Sequence, residues 1–384
     1  MSDIRPFAIA VPDEDIDDLR RRLAATRWPE AEAVDDLTQG IPLAYVQEVC
    51  EYWRDDYDWR RCEAGLNAHP NFVVEIDGLD IHFQHVRSPH DDATPLVLTH
   101  GWPGSIVEFQ KVIGPLTDPT AHGGTAGDAF PVFDLVIPSL PGYGWSGKPA
   151  RAGWGVERIA TAWHELMTAL GYDSWVAQGG DWGSAVTTMI GAQDLGGCRA
   201  IHTNMPTVRP TPELLTDLTP QEEQAIEAAK YYQDWDSGYS KQQSTRPQTV
   251  GYGLVDSPAG QAAWILEKFW RWTDCGDHVE NALTRDELLD NVSVYWFTAT
   301  AASSARLYWE SFGKFREGLV AMPTGCSIYP HEIIRSSRRW AASKYTDIRY
   351  WNELDRGGHF AAFEQPELFV SELRAAFAAL LANG

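Results

Sequence analysis

The 384-residue sequence lacks the signatures of several protein classes. Its five cysteines, at positions 50, 62, 198, 275 and 326, form no Cys-x-x-Cys pair. The odd number and scattered spacing argue against a disulfide framework or a zinc site, and favour a reducing compartment. No apolar run approaches the roughly 18 residues of a membrane span, and the first residues, MSDIRPFAIA, are unlike a signal peptide. We therefore expect a cytoplasmic protein without a membrane anchor.

Basic residues are scarce: 31 Lys and Arg stand against 54 Asp and Glu, for a net charge of −23. This balance argues against a nucleic-acid or anionic-membrane partner. Apolar residues are plentiful at 44%, and 17 of them are Trp. That is ample material for a large core, and it also suggests an aromatic-lined pocket, although most of the Trp side chains will simply be packing. The length fits one core with an inserted segment or two modest domains.

Short apolar strands alternate with helices in much of the chain, which predicts a mostly parallel sheet covered by helices. Predicted strands lie at 72–75, 79–86, 95–99, 133–138, 175–177, 200–203, 326–329 and 348–351. Predicted helices lie at 13–25, 42–55, 184–193, 220–232, 260–272, 285–298, 301–312 and 366–381. Strand patterns vanish between about 207 and 315, where helical patterns dominate. We therefore divide the chain into an N-terminal packing arm, an α/β core in two parts and a helical insertion: 1–71, 72–206, 207–315 and 316–384.

The stretch WVAQGGDWGS, from Trp175 to Ser184, carries the strongest chemical signal. A buried strand runs into a glycine-rich turn and then a helix, with glycines at 179 and 183 spaced around Asp181. This spacing is typical of a nucleophile elbow, in which a strained turn lifts a reactive side chain above the sheet. A carboxylate at the apex indicates attack on saturated carbon, forming an ester on the enzyme. The alternative from this stretch alone, about equally good, is a Gly-Gly turn with Asp181 as a helix cap.

Two later residues favour catalysis. Glu332 follows a predicted strand in YPHE, and His359 follows the last strand in DRGGHF. The resulting order of nucleophile, acid and histidine is that of an α/β-hydrolase. Taken singly, such a histidine is more often a surface residue or cap, and such a glutamate a solvated loop charge. Their joint placement makes coincidence a poor explanation.

The turn HGWPGS after the predicted strand at 95–99 can aim backbone N–H groups into the same site. We expect an oxyanion hole made by the N–H groups of Trp102 and of Trp182, the residue after the nucleophile. The alternative is an ordinary loop.

Other patterns carry less weight. Gly142 to Gly147 fits G-x-G-x-x-G but opens no predicted helix, so a dinucleotide site is improbable and a turn is the better interpretation. His82 and His85 lie three apart on a strand, face opposite sides and are poor joint metal ligands. Ser146 and Ser184 lack G-x-S-x-G spacing. We expect no cofactor and no metal.

Taken together, the motifs resemble those of microsomal-type epoxide hydrolases over nearly the whole chain. The resemblance rests on Trp28-Pro29 with the segment to about Asn71, and on HGWPGS, GGDWGS, SGYSKQQSTRPQTVGYGL, NVSVYWFT, PHEII and RGGHFAAFEQPE. It implies an α/β-hydrolase fold with a helical lid and an N-terminal arm of the epoxide-hydrolase type. The membrane anchor of the microsomal members is missing, which suggests a soluble, bacterial-type member.

The resemblance also assigns roles. The family's nucleophile, acid and base fall on Asp181, Glu332 and His359, and its two lid tyrosines, which hold the epoxide oxygen, fall on Tyr239 and Tyr308. The chemistry is coherent, because water can cleave an aspartyl ester but not the ether that a serine would form. A phenol can hydrogen-bond and then protonate the alkoxide released by ring opening.

The expected partners are a small-molecule epoxide and water, and a homodimer with a second copy of the chain stays an open alternative to a monomer. The many Trp suggest a bulky or aromatic epoxide, in detoxification or natural-product biosynthesis. One alternative function is a haloalkane dehalogenase, which shares the fold and the Asp-Trp elbow but needs N–H donors for halide instead of phenols. Another is a non-catalytic ligand-binding protein on this fold, against which the joint presence of Asp181, Glu332 and His359 argues.

Overall fold

The computed structural model describes residues 3–123, 131–313 and 318–382. Within these ranges nine strands form one sheet: β1 (Ile4–Phe7), β2 (Asn71–Ile76), β3 (Leu79–Val86), β4 (Thr94–Thr99), β5 (Phe133–Pro138), β6 (Trp175–Gly179), β7 (Cys198–Thr203), β8 (Thr324–Ile328) and β9 (Ile348–Glu353). Their order is β1-β2-β3-β5-β4-β6-β7-β8-β9. The first three strands and the β3–β5 pair are antiparallel, whereas all pairs from β5 through β9 are parallel. The predicted α/β-hydrolase sheet is confirmed.

The first hairpin shows how local sequence sets this register. β2 and β3 pair antiparallel, with Ile76 opposite Leu79. The two residues between them, Asp77 and Gly78, both have positive φ, 51° and 72°, as a type I′ turn requires. The edge strand β1 was not predicted, because four residues that include Pro6 give no alternating pattern; a proline is tolerated in such an edge strand.

The helices fall into three groups. The arm carries α1 (Asp13–Ala24), α2 (Leu43–Asp55) and α3 (Trp59–Asn67). The sheet is accompanied by α4 (Gln110–Thr117), α5 (Val156–Ala169), α6 (Asp181–Gln193), α13 (Arg338–Ala341), α14 (Ala361–Glu364) and α15 (Pro366–Leu381). Between β7 and β8 lie α7 (Pro220–Tyr231), α8 (Gly238–Thr245), α9 (Pro247–Asp256), α10 (Pro258–Trp272), α11 (Arg285–Phe297) and α12 (Ala301–Ser311). This last group contains no strand among its described residues, as the pattern predicted.

The helix after the elbow differs from the prediction in a way that matters. It begins at Asp181 and not at Ser184, because Gly180 is the N-cap and its carbonyl accepts the first helical hydrogen bond, from the Ser184 N–H at 3.0 Å. Asp181 is therefore the first residue of the helix and not its cap. Its side chain remains available for another purpose.

The arm packs against α11 of the insertion. The Trp53 indole donates to Ser293 Oγ at 3.0 Å, and the Tyr57 hydroxyl donates to Asp290 Oδ1 at 2.7 Å, both in buried surroundings. Arg61 also pairs with Asp290. The arm thus stabilises the helical insertion from outside. In the part of the chain that the structure describes, no helix is long and apolar enough to cross a membrane.

Candidate active site

Asp181 stands at the carboxyl end of the central strand β6, with φ of +50°. An L-residue in this conformation is uncommon and marks a strained turn. The turn is possible only because its neighbours are small. A Cβ on Gly179 would lie 2.2 Å from the Gly183 backbone, and a Cβ on Gly183 would lie 1.9 Å from the Thr99 carbonyl oxygen. The glycine spacing is thus explained by close backbone packing.

The loops after β8 and β9 bring the two other predicted triad residues to this apex. His359 Nδ1 lies 2.6 Å from Glu332 Oε1, and His359 Nε2 lies 3.4 Å from Asp181 Oδ2. Glu332 and His359 are both buried. Burial opposes protonation of the imidazole, but the negative charges of Glu332 and Asp181 outweigh it and raise the pKa of His359 well above its ordinary value. The arrangement is a charged histidine held between two carboxylates.

The other oxygen of Asp181 is held by the backbone. The Trp102 N–H donates to Asp181 Oδ1 at 2.8 Å. Gly101 leaves room for this contact, since a Cβ there would lie 2.3 Å from the same oxygen. The Trp102 N–H therefore lies where an oxyanion developing on the Asp181 carboxyl group would need a donor.

Both predicted tyrosines lie over this site. Tyr239, on α8, stacks on the Trp102 ring with centroids 4.8 Å apart, and Tyr308, on α12, meets the Trp182 ring edge-on at 4.7 Å. The two phenol rings are 5.7 Å apart. Burial raises the pKa of each phenol well above its ordinary value. Both side chains are therefore neutral proton donors at physiological pH.

Two cavities meet at Asp181. The apolar cavity, about 40 Å³, is lined by Asp181, Trp182, Ala185, Met205, Tyr232, Tyr239, Tyr308, Phe312, Ile333 and Ile334. The second cavity, about 20 Å³, has a mixed wall, with Phe109, Phe360, Ala361, Ala362 and Phe369 on its apolar part. We call it the polar cavity because Asp181, Glu108, Gln178, Asn204 and His359 also line it, together with Trp102. The tyrosines belong to the first cavity and the histidine to the second, with the carboxylate between them.

Comparison with known proteins decides the family. The model described as "Epoxide hydrolase N terminus" matches residues 4–109, and one for the alpha/beta hydrolase fold matches residues 94–250. A Stigmatella aurantiaca (strain DW4/3-1) protein named "Putative epoxide hydrolase" is 57% identical over 381 residues, covering 99% of this chain and 86% of that protein. Epoxide hydrolase 1 of Sus scrofa is 37% identical over 401 residues, covering 97% of this chain and 88% of that protein.

The chain belongs to the epoxide hydrolase family. The crystal structure of the juvenile hormone epoxide hydrolase from the silkworm Bombyx mori agrees, with a TM-score of 0.91 at 30% identity over 100% of this chain and 96% of that one. The Aspergillus niger epoxide hydrolase structure gives a TM-score of 0.87 at 32% identity, covering 98% of this chain and 96% of that one. The predicted fold and the predicted family are confirmed, and with them the prediction of an enzyme of the epoxide hydrolase class.

Several supports of the epoxide hydrolase site were not predicted. The NVSVYWFT motif lies on α11 and fixes the HGWPGS loop from above. The Asn291 side-chain amide donates to the Pro103 carbonyl at 2.7 Å, and the Tyr295 hydroxyl donates to the Gly104 carbonyl at 2.8 Å. The motif was visible in the sequence, but its purpose was not, because the contact spans nearly 190 residues of chain.

The glycine-rich loop after β5 has a structural use of the same kind. Gly142 has φ of +83°, and its carbonyl accepts a hydrogen bond from Ser303 Oγ at 2.6 Å. The Tyr143 hydroxyl donates to the Ser304 carbonyl at 3.2 Å. The loop therefore holds α12, the helix that carries Tyr308. The prediction of a turn here is confirmed.

The two strand histidines also separate as predicted. His82 contacts Ser139 Oγ and Asn71 Oδ1, whereas His85 contacts the Tyr172 hydroxyl, so they share no ligand position. Tyr232 is another site residue that was not predicted. Its hydroxyl lies 3.0 Å from that of Tyr239.

Proposed function

We propose that this epoxide hydrolase opens its substrate by attack of Asp181 on an epoxide carbon, and then hydrolyses the resulting aspartyl ester to release a vicinal diol. One observation supports this most directly: the two oxygens of Asp181 are differently held. Oδ1 accepts the Trp102 N–H, whereas Oδ2 faces His359 and has no backbone donor among the hydrogen bonds of the described residues. A carboxylate used only as a structural cap would not be held at a strained apex between two cavities.

In the first step a carboxylate oxygen of Asp181 forms a bond to an epoxide carbon, and that carbon's bond to the ring oxygen breaks. The negative charge moves from the carboxylate to the ring oxygen. Tyr239 and Tyr308 stabilise the developing alkoxide by hydrogen bonding and supply its proton, which their raised pKa values keep in place beforehand. His359, charged while Asp181 is charged, stabilises the free carboxylate before attack.

In the second step water attacks the ester carbon of Asp181, and His359 accepts the proton that the water loses. The oxyanion that forms on the carboxyl group is stabilised by the Trp102 N–H and, we propose, by the Trp182 N–H. Collapse of this intermediate expels the diol oxygen, which takes the proton of the new carboxyl group, so that Asp181 is again a carboxylate. The proton that His359 loses when the ester forms restores the phenol that protonated the alkoxide in the first step. Glu332 keeps the imidazole oriented and stabilises its charged form.

Alkylation itself prepares His359 for this second task. The ester carries no charge, so one of the two interactions that raise the pKa of His359 disappears when it forms. The neutral imidazole, which is the form able to accept a proton from water, becomes more favourable at that moment. The same residue can therefore serve as a cation in one step and a base in the next.

We further propose that the described part of 207–315 acts as a lid and that the substrate is a hydrophobic epoxide with an aryl group. The apolar cavity is walled by side chains such as Met205, Phe312 and Ile333. Tyr232 begins a single π-helical turn, Tyr232–Asp236, between the two helices that precede and carry Tyr239. Such turns are frequent at functional sites. Because the cavity is small, entry of a bulky substrate would require this segment to move.

An isotope experiment tests the covalent route. With enzyme in excess over styrene oxide in ¹⁸O water, a single turnover should give diol without label and a peptide containing Asp181 with label. Direct attack by water predicts labelled diol and an unlabelled peptide, which would rule out the ester. A parallel panel of chloroalkanes, assayed for halide release, separates this activity from that of a haloalkane dehalogenase.

A further inference from the structure

We propose that Glu108 positions, from within the polar cavity, the water molecule that hydrolyses the Asp181 ester. The proposal deepens the proposed function and rests on its covalent route. In this proposal the epoxide binds in the apolar cavity and the water binds in the polar cavity, on opposite sides of Asp181.

Glu108 is an unusual residue for its place. It belongs to a single 3₁₀ turn, Ile106–Phe109, that directly follows the HGWPGS loop, and its side chain is only 9% exposed. Its Oε1 is buried and accepts no hydrogen bond from any described residue. Buried carboxyl groups are rare unless they are paired, because the loss of hydration is unfavourable. A buried, unpaired oxygen at the edge of an active site indicates a ligand-binding role.

The backbone is shaped around this carboxyl group. A Cβ on Gly104 would lie 1.4 Å from Glu108 Oε1, so only glycine leaves room for the side chain in its present position. The same loop supplies the Trp102 N–H that holds Asp181. One short segment of chain therefore places both the oxyanion donor and the carboxyl group of Glu108.

The cavity beside this group has the size and the partners that one water molecule needs. Its volume of about 20 Å³ accommodates one water. Glu108 Oε1 and Gln178 Oε1 are both buried and unpartnered among the described side chains that line it, and His359 borders it as well. A buried water typically makes about three hydrogen bonds; its two hydrogens can reach Glu108 Oε1 and His359 in the reacting orientation, and Gln178 Oε1 is an alternative acceptor before the water reacts.

Glu108 can accept a hydrogen bond throughout the second step. Burial raises the pKa of Glu108 to about 8; the charge of His359 and a hydrogen bond from the Ser105 backbone oppose that rise, and the charge of Asp181 adds to it. Ester formation removes the Asp181 charge and favours neutral His359, two changes that shift the pKa of Glu108 in opposite directions, and a carboxyl group keeps an acceptor oxygen in either protonation state. Water donates one hydrogen bond to Glu108 and gives its other proton to His359 as its oxygen bonds to the ester carbon. Glu108 itself gains and loses no covalent bond in the cycle.

Rapid-quench mass spectrometry of the full chain with styrene oxide separates the two steps. We expect Glu108→Gln and Glu108→Leu to form the ester within about twofold of the wild-type rate. Decay of the ester should slow by about tenfold or more, as for loss of a group that assists proton transfer, so that ester accumulates in the steady state. Gly104→Ala, which keeps Glu108 but displaces its carboxyl group, should reproduce the slow decay.

Glu372→Gln is the matched control, because it removes another buried carboxylate, one that bonds Ser327 and Asn352 away from Asp181; it should leave both rates unchanged. Normal ester decay in the folded Glu108 variants would overturn the proposal. An equal slowing of both steps would also overturn it, since that indicates a structural role. Absence of ester in the wild type is a different result, which would overturn the covalent route itself.

Discussion

The two cavities that meet at Asp181 differ in almost every respect. The apolar cavity lies between the core and the helices of 207–315, which supply four of its ten lining residues, and it carries phenols that stay protonated. The polar cavity is built from loops at the carboxyl ends of the strands and carries His359 and Glu108. A two-step reaction on one carboxylate needs two such environments, because the first step needs a donor to an alkoxide and the second needs an acceptor from water.

The difference also lies in how each side is supported. The polar side is held by the sheet and by backbone contacts such as that of Trp102 with Asp181. The α11 helix, which the arm packs against, also holds the HGWPGS loop of the polar side. The apolar side is held by contacts such as that of the loop after β5 with α12, the helix that carries Tyr308. The groups proposed for the first step therefore depend on how the helices between β7 and β8 pack on the core. Variants on the two sides should fail at different steps.

The largest loss of activity is expected on substitution of Asp181, which borders both cavities. Asp181→Asn should lower turnover on the order of 10⁴-fold or more, because a neutral amide is a poor nucleophile. Steady-state diol formation measures this, and intact-protein mass spectrometry should detect no ester. Slow deamidation of the introduced asparagine in the variant can restore the aspartate. Activity that grows with storage is therefore attributed to deamidation only if the mass of the protein has risen by the difference between Asn and Asp. Immediate wild-type activity would remove Asp181 from the mechanism.

His359→Gln removes the base of the polar side. The variant should still open the epoxide once but release diol about 10²- to 10⁴-fold more slowly, the usual range for loss of a general base. Mass spectrometry should then show the protein trapped as a covalent adduct. Rapid product release with no adduct would show that His359 is not needed for hydrolysis of the ester.

Tyr239→Phe and Tyr308→Phe address the apolar side. Each should slow ester formation about 10²-fold or more, since loss of one donor to a developing oxyanion has effects on the order of 10² to 10³. The double variant should be nearly inactive. Burst kinetics with styrene oxide should show slow alkylation without adduct accumulation, the reverse of the His359→Gln pattern. Wild-type alkylation in the double variant would eliminate both phenols.

Tyr232→Phe should have a smaller effect on the same side. Its hydroxyl contacts that of Tyr239 at 3.0 Å and donates a longer bond to Ser240 Oγ at 3.4 Å. Loss of the neutral hydrogen bond to Tyr239 is worth about 1 kcal/mol, or roughly fivefold in alkylation rate. Ester decay should not change. An equal effect on decay would indicate that Tyr232 acts on the packing of the whole site.

The sequence predicted one of these sides better than the other. Asp181, Glu332 and His359 each follow a strand, and parallel strands bring their carboxyl ends to one edge, so pattern and chain order sufficed to predict that these three side chains meet. Tyr239 and Tyr308 lie in helices whose packing no local pattern specifies. Among 14 tyrosines they could be chosen only through the family resemblance.

Glu108 was missed for a related reason. In the sequence it is one acidic residue among 54, four positions beyond Gly104. Only the folded turn shows that this glycine and this carboxyl group occupy adjoining space. Likewise, the NVSVYWFT motif was recognised without its purpose, because Asn291 and Tyr295 act on a loop that is distant in the chain. Long-range contacts of this kind are not encoded in spacing.

The smallest expected effect is on the pH dependence of stability, and it arises from the charge interaction between Glu108 and Asp181. The pKa of Glu108 is raised to about 8, from an ordinary 4.5, chiefly by burial and in part by Asp181. The folded protein therefore binds a proton more tightly there than the unfolded chain does. Stability from this group is complete below about pH 4.5 and is lost as the pH rises through about 8.

Glu108→Gln has no such titration, so its melting temperature relative to the wild type should increase by a few degrees between pH 5 and pH 8.5. His359 also has a raised pKa and loses stability as the pH rises, but it is present in both proteins. The same pair should be compared in the Asp181→Asn background. There the negative charge that helps to raise the pKa of Glu108 is absent, so the pH-dependent difference should shrink. A difference that is flat with pH in the native background would contradict the raised pKa of Glu108. A pH-dependent difference that Asp181→Asn leaves unchanged would contradict the charge coupling between Glu108 and Asp181 and assign the shift to burial alone.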